Sequence, residues 1–250
     1  MFRNVYKIEP FSFVTDIINH DYRTADVFRK HNIDFCCGGK WPLDIVCQNK
    51  NLNTEDIIEE LSKIITQTAS NAFLDFDNWD IDFLTDYIFN IHHRYLKKTL
   101  PEIKEQTTRF LDEHRKKFPE LEEMQIIIDR FIKEIPPHMK REEEIFFPYI
   151  KQIHHAHKHR ESYAKLLIRT LRKPIEEVML KEHETTGANL NKLRTITNNY
   201  TPPANACIVH KVTFAKLNEL DKDLVQHIHL ESNILFPKAI AMEQELLNEK

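Results

Sequence analysis

From Asp80 onward the apolar residues recur at three- and four-residue intervals, over stretches far longer than a strand uses. The spacing predicts four long helices, over about 80–114, 120–153, 174–198 and 205–234, with a terminal helix after Pro237. Pro101 should kink the first, and Pro136 and Pro137 should interrupt the second. Four long helices with apolar stripes predict an up-down bundle, a fold whose core commonly houses metal sites. Residues 1–70 carry shorter periods. Thr24 can cap a helix through Ala25, Val27 and Phe28 to about Asn32, and Pro42 can open another. Asn53 or Thr54 can cap a third, with Ile57, Ile58, Leu61, Ile64 and Ile65 opposite Glu55, Glu59 and Lys63. Residues 71–79 show no period and read as a linker. The reading is all-α: a small helical domain over 1–70 and a four-helix bundle over 80–250.

Composition narrows the function. The 250 residues carry 35 Lys+Arg against 39 Asp+Glu, a formal charge of −4, which gives no electrostatic reason to expect nucleic acid. Only three glycines occur, Gly38, Gly39 and Gly187, so neither a dinucleotide fingerprint nor a P-loop can be written. No apolar run approaches the ~18 residues of a membrane span. Residues 1–20 lack the charged leader and apolar run of a secretory signal. A cytoplasmic location is expected, with Cys36, Cys37, Cys47 and Cys207 as free thiols.

One pattern occurs twice, 89 residues apart: His138-x-x-x-Glu142-x-x-Ile145-x-Phe147-Pro148 and His227-x-x-x-Glu231-x-x-Ile234-x-Phe236-Pro237. Residues four apart share a helix face. In the second long helix the seam reads Phe131, Ile135, His138, Glu142, Ile145, Tyr149; in the fourth, Leu217, Leu220, Leu224, His227, Glu231, Leu235. A buried carboxylate must be paired or bind metal, so the two motifs point to one interior metal site. The third helix offers His183, on the face of Met179 and Leu190 beside Gly187. The first offers His92 or His93, and the stripe Leu96, Leu100, Ile103 leans to His92. Four imidazoles and two carboxylates without thiolate favour iron, manganese or zinc. Six ligands are many for one ion and suit two, bridged by both carboxylates and an oxo or hydroxo group. One position per metal would stay open to O₂ or NO. The tract His154-His155-Ala156-His157-Lys158-His159 could bind metal but reads as a solvated insertion between helices.

These residues resemble a hemerythrin-like di-iron bundle, whose His-x-x-x-Glu order differs from the Glu-x-x-His of ferritin-like proteins. The segment Phe28-Arg-Lys-His31-Asn-Ile33-Asp34-Phe35-Cys36-Cys37-Gly38-Gly39-Lys40 resembles the short domain that opens proteins of the repair-of-iron-centres family. Thr197-Asn-Asn-Tyr-Thr-Pro-Pro203-Ala-Asn-Ala-Cys207 is similar to that family too, and the resemblance covers nearly the whole chain in the family's order. It implies a cytoplasmic protein holding two non-haem iron ions, which restores iron–sulfur clusters damaged by oxidative or nitrosative stress and supplies the iron. It places the ligands on His93, His138, Glu142, His183, His227 and Glu231, with the two glutamates as bridges. Counting back from Leu100-Pro101, it favours His93 over His92. Glu182 and Glu134 match family carboxylates near the centre, although Pro136-Pro137 after Glu134 departs from the pattern. Cys36 and Cys37 match the family's paired cysteines. Adjacent cysteines rarely bridge each other, and the following glycines free the backbone, so the pair reads as thiols that handle iron, NO or a damaged cluster. The alternative is two small buried residues at a helix end.

An iron donor for cluster repair is therefore the leading function. A di-iron reductase turning NO into N₂O would need electrons, for which no flavin or nicotinamide motif is present. An O₂ or NO carrier or sensor would have no use for the N-terminal cysteines. Expected partners are damaged iron–sulfur proteins and small ligands such as NO or O₂, with no nucleic acid or membrane, and the chain is expected to be a monomer or homodimer.

Overall fold

The computed structural model describes residues 7–21, 24–33, 35, 40–66, 74–171 and 175–248, in two units, Met1–Trp79 and Asp80–Lys250. Regular structure among the described residues is helical, with one isolated bridge between Phe13 and Pro42. No described helix is long and apolar enough to cross a membrane.

The first unit holds helices α1 (Val14–His20), α2 (Ala25–Lys30), α3 (Leu43–Asn49) and α4 (Thr54–Thr66). Asn53 caps α4, its Oδ1 accepting the N–H groups of Glu55 and Asp56 at 2.9 and 3.4 Å. Thr24 does not cap α2; its hydroxyl donates instead to the Asp21 carbonyl at 2.6 Å. Val14, Ile17, Phe28, Leu43, Cys47, Ile57 and Leu61 are buried. Lys30 and His31 reach Glu60 at 2.9 and 3.2 Å, tying α2 to α4. Cys36 and Cys37 lie outside the described residues.

The second unit is built on α5 (Ile81–Tyr87), α6 (Arg94–His114), α7 (Glu122–Arg141), α8 (Phe147–His159), α9 (Ala164–Leu171), α10 (Ile175–Ile196), α11 (Ile208–His229) and α12 (Phe236–Asn248). Helix α6 packs on α7, α7 on α10, α10 on α11, and α11 back on α6, which closes a four-helix ring. Three of its rods are composite: π-helical turns over Ile88–His93, Glu142–Phe146 and Leu230–Leu235 join α5 to α6, α7 to α8 and α11 to α12.

Prolines do not break these rods where the sequence predicts. Helix α7 runs through Pro136 and Pro137, and α6 through Pro101. All three prolines are exposed, so the carbonyls they leave unbonded lie on the water side, while buried Ile135, His138 and Met139 hold the other face. The second rod also continues to His159, so the histidine tract forms its last turns rather than an insertion.

The repeated motif explains the π turns. Pro148 and Pro237 have no N–H for the carbonyl four residues back. In both copies the preceding phenylalanine N–H skips one residue and bonds the glutamate carbonyl, Phe147 to Glu142 and Phe236 to Glu231. The extra residue shifts the seam. Ile145, expected in the core, is 40% exposed, and Phe146 takes its place at 4%. The other expected seam residues, Phe131, Ile135, Tyr149, Leu217, Leu220, Leu224 and Leu235, are buried.

Asparagine ends helices where glycine commonly would. Asn32, Asn51, Asn198 and Asn199 adopt left-handed backbone. Tyr200 follows at φ 57, a conformation costing a non-glycine residue roughly 1–2 kcal/mol. Three bonds hold it there: its N–H donates to Thr197 Oγ1 at 3.1 Å, the Asn199 N–H to the Arg194 carbonyl at 2.7 Å, and its hydroxyl to buried Asp221 at 2.7 Å. Arg194 meets the same carboxylate through two donors, at 2.7 and 2.5 Å, fastening α10 to α11. Asp221→Ala would leave the guanidinium buried without a counter-charge. It should destabilise the bundle by about 3–5 kcal/mol, lowering Tm by roughly 6–20 °C in thermal unfolding.

Candidate metal centre

Six of the residues expected from sequence converge between the four helices. His93 comes from the π turn before α6, His138 from α7, His183 from α10 and His227 from α11, while Glu142 is the first residue and Glu231 the second residue of the other two π turns. Glu142, Glu231 and His93 have no exposed surface, and the remaining histidines expose 2–7%. The six form two overlapping groups, His93/Glu142/His227/Glu231 and His138/Glu142/His183/Glu231, each with its ligand atoms within 4.8 Å of one another. Both carboxylates belong to both groups.

Each carboxylate divides its oxygens between the groups. Glu142 Oε2 lies 3.4 Å from His93 Nε2, and its Oε1 lies 3.1 Å from His138 Nε2. Glu231 Oε1 lies 3.0 Å from His227 Nε2, and its Oε2 lies 3.2 Å from His183 Nε2. Within each group the two imidazole Nε2 atoms face each other at 3.1 Å. Among the described residues neither Glu142 oxygen, nor Glu231 Oε2, has a donor in hydrogen-bonding geometry. Lone pairs so arranged, in a pocket that buries two carboxylates, fit cations shared between them. The donor set of imidazole nitrogen and carboxylate oxygen suits iron, manganese or zinc.

Electrostatics agree. Burial opposes a charged imidazole, yet interaction with Glu142 and Glu231 outweighs it and pushes His93 up to about 10. His138 is pushed up to about 10 as well, burial being overcome by Glu142, Glu182 and Glu231. Burial and the mutual repulsion of the two carboxylates work against ionisation of Glu142, but His138 and His93 hold it below the usual carboxylate range. Glu231 is held well below it by His227, His183 and His93, against the cost of burial. The pocket therefore keeps two carboxylates ionised and demands positive charge beside them.

The outer ring nitrogens are held from behind. His93 Nδ1 donates to Glu143 at 2.9 Å, and Glu143 also takes the Lys97 ammonium at 2.7 Å. His138 Nδ1 donates to Glu182 at 2.6 Å, and Glu182 also takes Arg141 at 2.5 Å. His183 Nδ1 pairs with Ser232 Oγ at 2.7 Å. A carboxylate only accepts, so a neutral His93 or His138 carries its proton on Nδ1 and points its Nε2 lone pair inward. Sequence reasoning reaches Glu182 only through resemblance and misses Glu143 and Ser232. Their signal is position: each directly follows one of the repeated glutamates. His92 is buried too but turns away, its Nδ1 2.9 Å from Asp223 Oδ1. Glu134, the other carboxylate that the resemblance brings near the centre, is exposed and belongs to neither group.

The arrangement has an approximate two-fold repeat with one break. Glu182, which precedes His183, supports His138. The counterpart preceding His93 is His92, whose ring stacks 5.8 Å from that of His227. His227 Nδ1 has no hydrogen-bond partner among the described residues.

Two family models match the chain. Residues 12–65 match ScdA_N, described as a domain of unknown function, and residues 85–239 match the hemerythrin HHE cation binding domain. The chain is 35% identical over 221 residues to a Shigella boydii protein called iron-sulfur cluster repair protein YtfE, covering 88% of this chain and 93% of that protein. An Escherichia coli protein of the same name is 34% identical with the same coverage. A Haemophilus influenzae protein called a probable iron-sulfur cluster repair protein is 32% identical over 214 residues, 86% of this chain and 90% of that one. The buried pocket lies within the cation-binding match.

If Glu182 orients His138, Glu182→Gln should weaken metal binding about 10–100-fold without unfolding the bundle, because the residue is part-exposed. Titration against a competing chelator reads this directly; unchanged affinity would remove Glu182 from the site.

Proposed function

The chain belongs to the family of iron–sulfur cluster repair proteins built on a hemerythrin cation-binding domain, and from that premise we propose that it repairs damaged clusters by giving up iron held in the buried pocket. In this reading the pocket holds two iron ions, one between His93 and His227 and the other between His138 and His183, with Glu142 and Glu231 spanning both. The observation that carries it is the division of each buried carboxylate between the two imidazole pairs. Iron bound there is both a reservoir and the cargo delivered to a cluster stripped by oxidative or nitrosative damage. The protein's own groups set its retention: the carboxylates supply the neutralising charge, and Glu143, Glu182 and Ser232 fix the ring directions.

The break in the two-fold repeat supports a reading of which ion departs. The His138/His183 station has an outer partner on both rings, whereas the His93/His227 station has one only. Ligands without outer support hold metal about 10–100-fold less tightly, so the ion between His93 and His227 leaves first. Cys36 and Cys37 are assigned to the hand-over, as two adjacent thiols followed in sequence by a glycine pair. Cys47 and Cys207 are free thiols, which suits action in the reducing cytoplasm.

Two measurements test this. A chelator in excess should remove iron in two phases; Glu143→Gln should speed the fast phase, and Glu182→Gln and Ser232→Ala the slow one. The reverse pattern would overturn the assignment. The Cys36→Ser, Cys37→Ser double variant should keep full iron but fail to reactivate an iron–sulfur dehydratase inactivated by peroxide. Reactivation at the unmodified rate would take the thiols out of the function.

A further inference from the structure

The histidine tract belongs to α8, and helical geometry sorts its members. His154 sits between two acids, 3.7 Å from Asp80 and 3.6 Å from Asp82. His157 is bonded to Glu245 at 2.7 Å. His155 and His159 are four residues apart, on one exposed face, and make no hydrogen bond or ion pair among the described residues. Their ring centroids stand 4.4 Å apart with the planes inclined at 40°.

We propose that His155 and His159 form a second, solvent-facing metal site, which chelates a divalent late first-row transition ion such as nickel, copper or zinc. Three observations carry it, and none depends on the buried pocket's function. First, two imidazoles four apart on a helix present a ready chelating pair, as in helical His-x-x-x-His zinc sites. Second, the two side chains already lean together over that face, with their ring centroids 4.4 Å apart. Third, the pair lies in the last turns of α8, just before Arg160 ends the helix in left-handed backbone, and the carbonyl end of a helix favours a cation. His157 is bonded to Glu245, and His154 belongs to a separate group with Asp80 and Asp82, which leaves His155 and His159 as the pair in the tract with no carboxylate in hydrogen-bond reach among the described residues. Imidazole nitrogen with water in the remaining positions selects nickel, copper and zinc over ferrous iron, in the order copper above nickel and zinc. The site therefore takes an exchangeable ion of a different class from the iron assigned to the pocket.

The test uses the full-length protein with its buried site already loaded, titrated with Ni²⁺ by calorimetry. One further equivalent of nickel should bind. His155→Gln and His159→Gln should each abolish that equivalent while leaving the iron content and the optical spectrum unchanged. His154→Gln and His157→Gln should leave it in place. Because both ligands are exposed, the variants keep the fold, which far-ultraviolet circular dichroism verifies. Nickel binding that survives His159→Gln, or that is lost instead in His154→Gln, would overturn the assignment. So would the absence of any equivalent beyond the buried site. Loss of iron in these variants would tie the pair to the pocket and contradict its independence.

Discussion

Two ionised carboxylates with no exposed surface, Glu142 and Glu231, face four imidazoles at the centre of the bundle, and the rest of the fold is arranged around keeping them there. Burying one such charge alone would cost several kcal/mol. The structure offsets this by drawing one histidine from each of four helices. It then draws outer partners onto three of those histidines from Glu143, Glu182 and Ser232. Those outer residues sit beside the inner ones in sequence, so a single helical register aims both layers. A fault in register would therefore disturb ligands and supports together.

The π turns are the device that sets this register. Each repeated glutamate lies at the start of one and accepts the N–H of the phenylalanine before a proline, which closes it. The proline removes one backbone donor, the helix widens by a residue, and the side chains beyond the glutamate rotate with it. A third π turn ends at His93, so three of the four rods carry this irregularity at the level of the pocket. The far end of the bundle is secured differently, by the Arg194–Asp221–Tyr200 network and by three successive left-handed residues. The fold thus places backbone irregularity where chemistry needs side chains re-aimed and where a helix must stop.

Much of this is legible in the amino-acid sequence. Helical period marks the four rods and nearly all their buried seams, because 3.6-residue spacing is strictly local information. The repeated His-x-x-x-Glu motif marks two of the four pocket-forming helices, since a polar pair inside an apolar stripe has few other uses. The failures have physical reasons. Proline rules predict breaks at residues 101 and 136–137, but exposed carbonyls there can be hydrated while the buried face holds the helix. The π turn displaces Ile145 by Phe146, an effect that no fixed period can anticipate. Period alone leans to His92. Both neighbours are buried, and only the three-dimensional positions of Asp223 and Glu143 separate them. The outer partners sit next to inner ligands in sequence, but which ring each one holds is not legible there, because each supports a ring on a different helix and tertiary pairing is not written in local spacing. The tract at 154–159 looks like an insertion because its composition resembles a loop, yet Ile153 and Ala156 are buried against the bundle and carry the helix through it.

The central claim is that Glu142 and Glu231 span two iron ions. The most direct test is the iron content and optical spectrum of the protein purified from iron-replete cells, with surface-bound metal first removed by dialysis. The Glu142→Ala, Glu231→Ala double variant is measured beside it. The account predicts about two irons per chain with the absorption of a bridged ferric pair, as carboxylate-bridged centres in helical bundles hold, and loss of both features in the variant. A native protein without iron, or a variant that keeps its full complement, would contradict it.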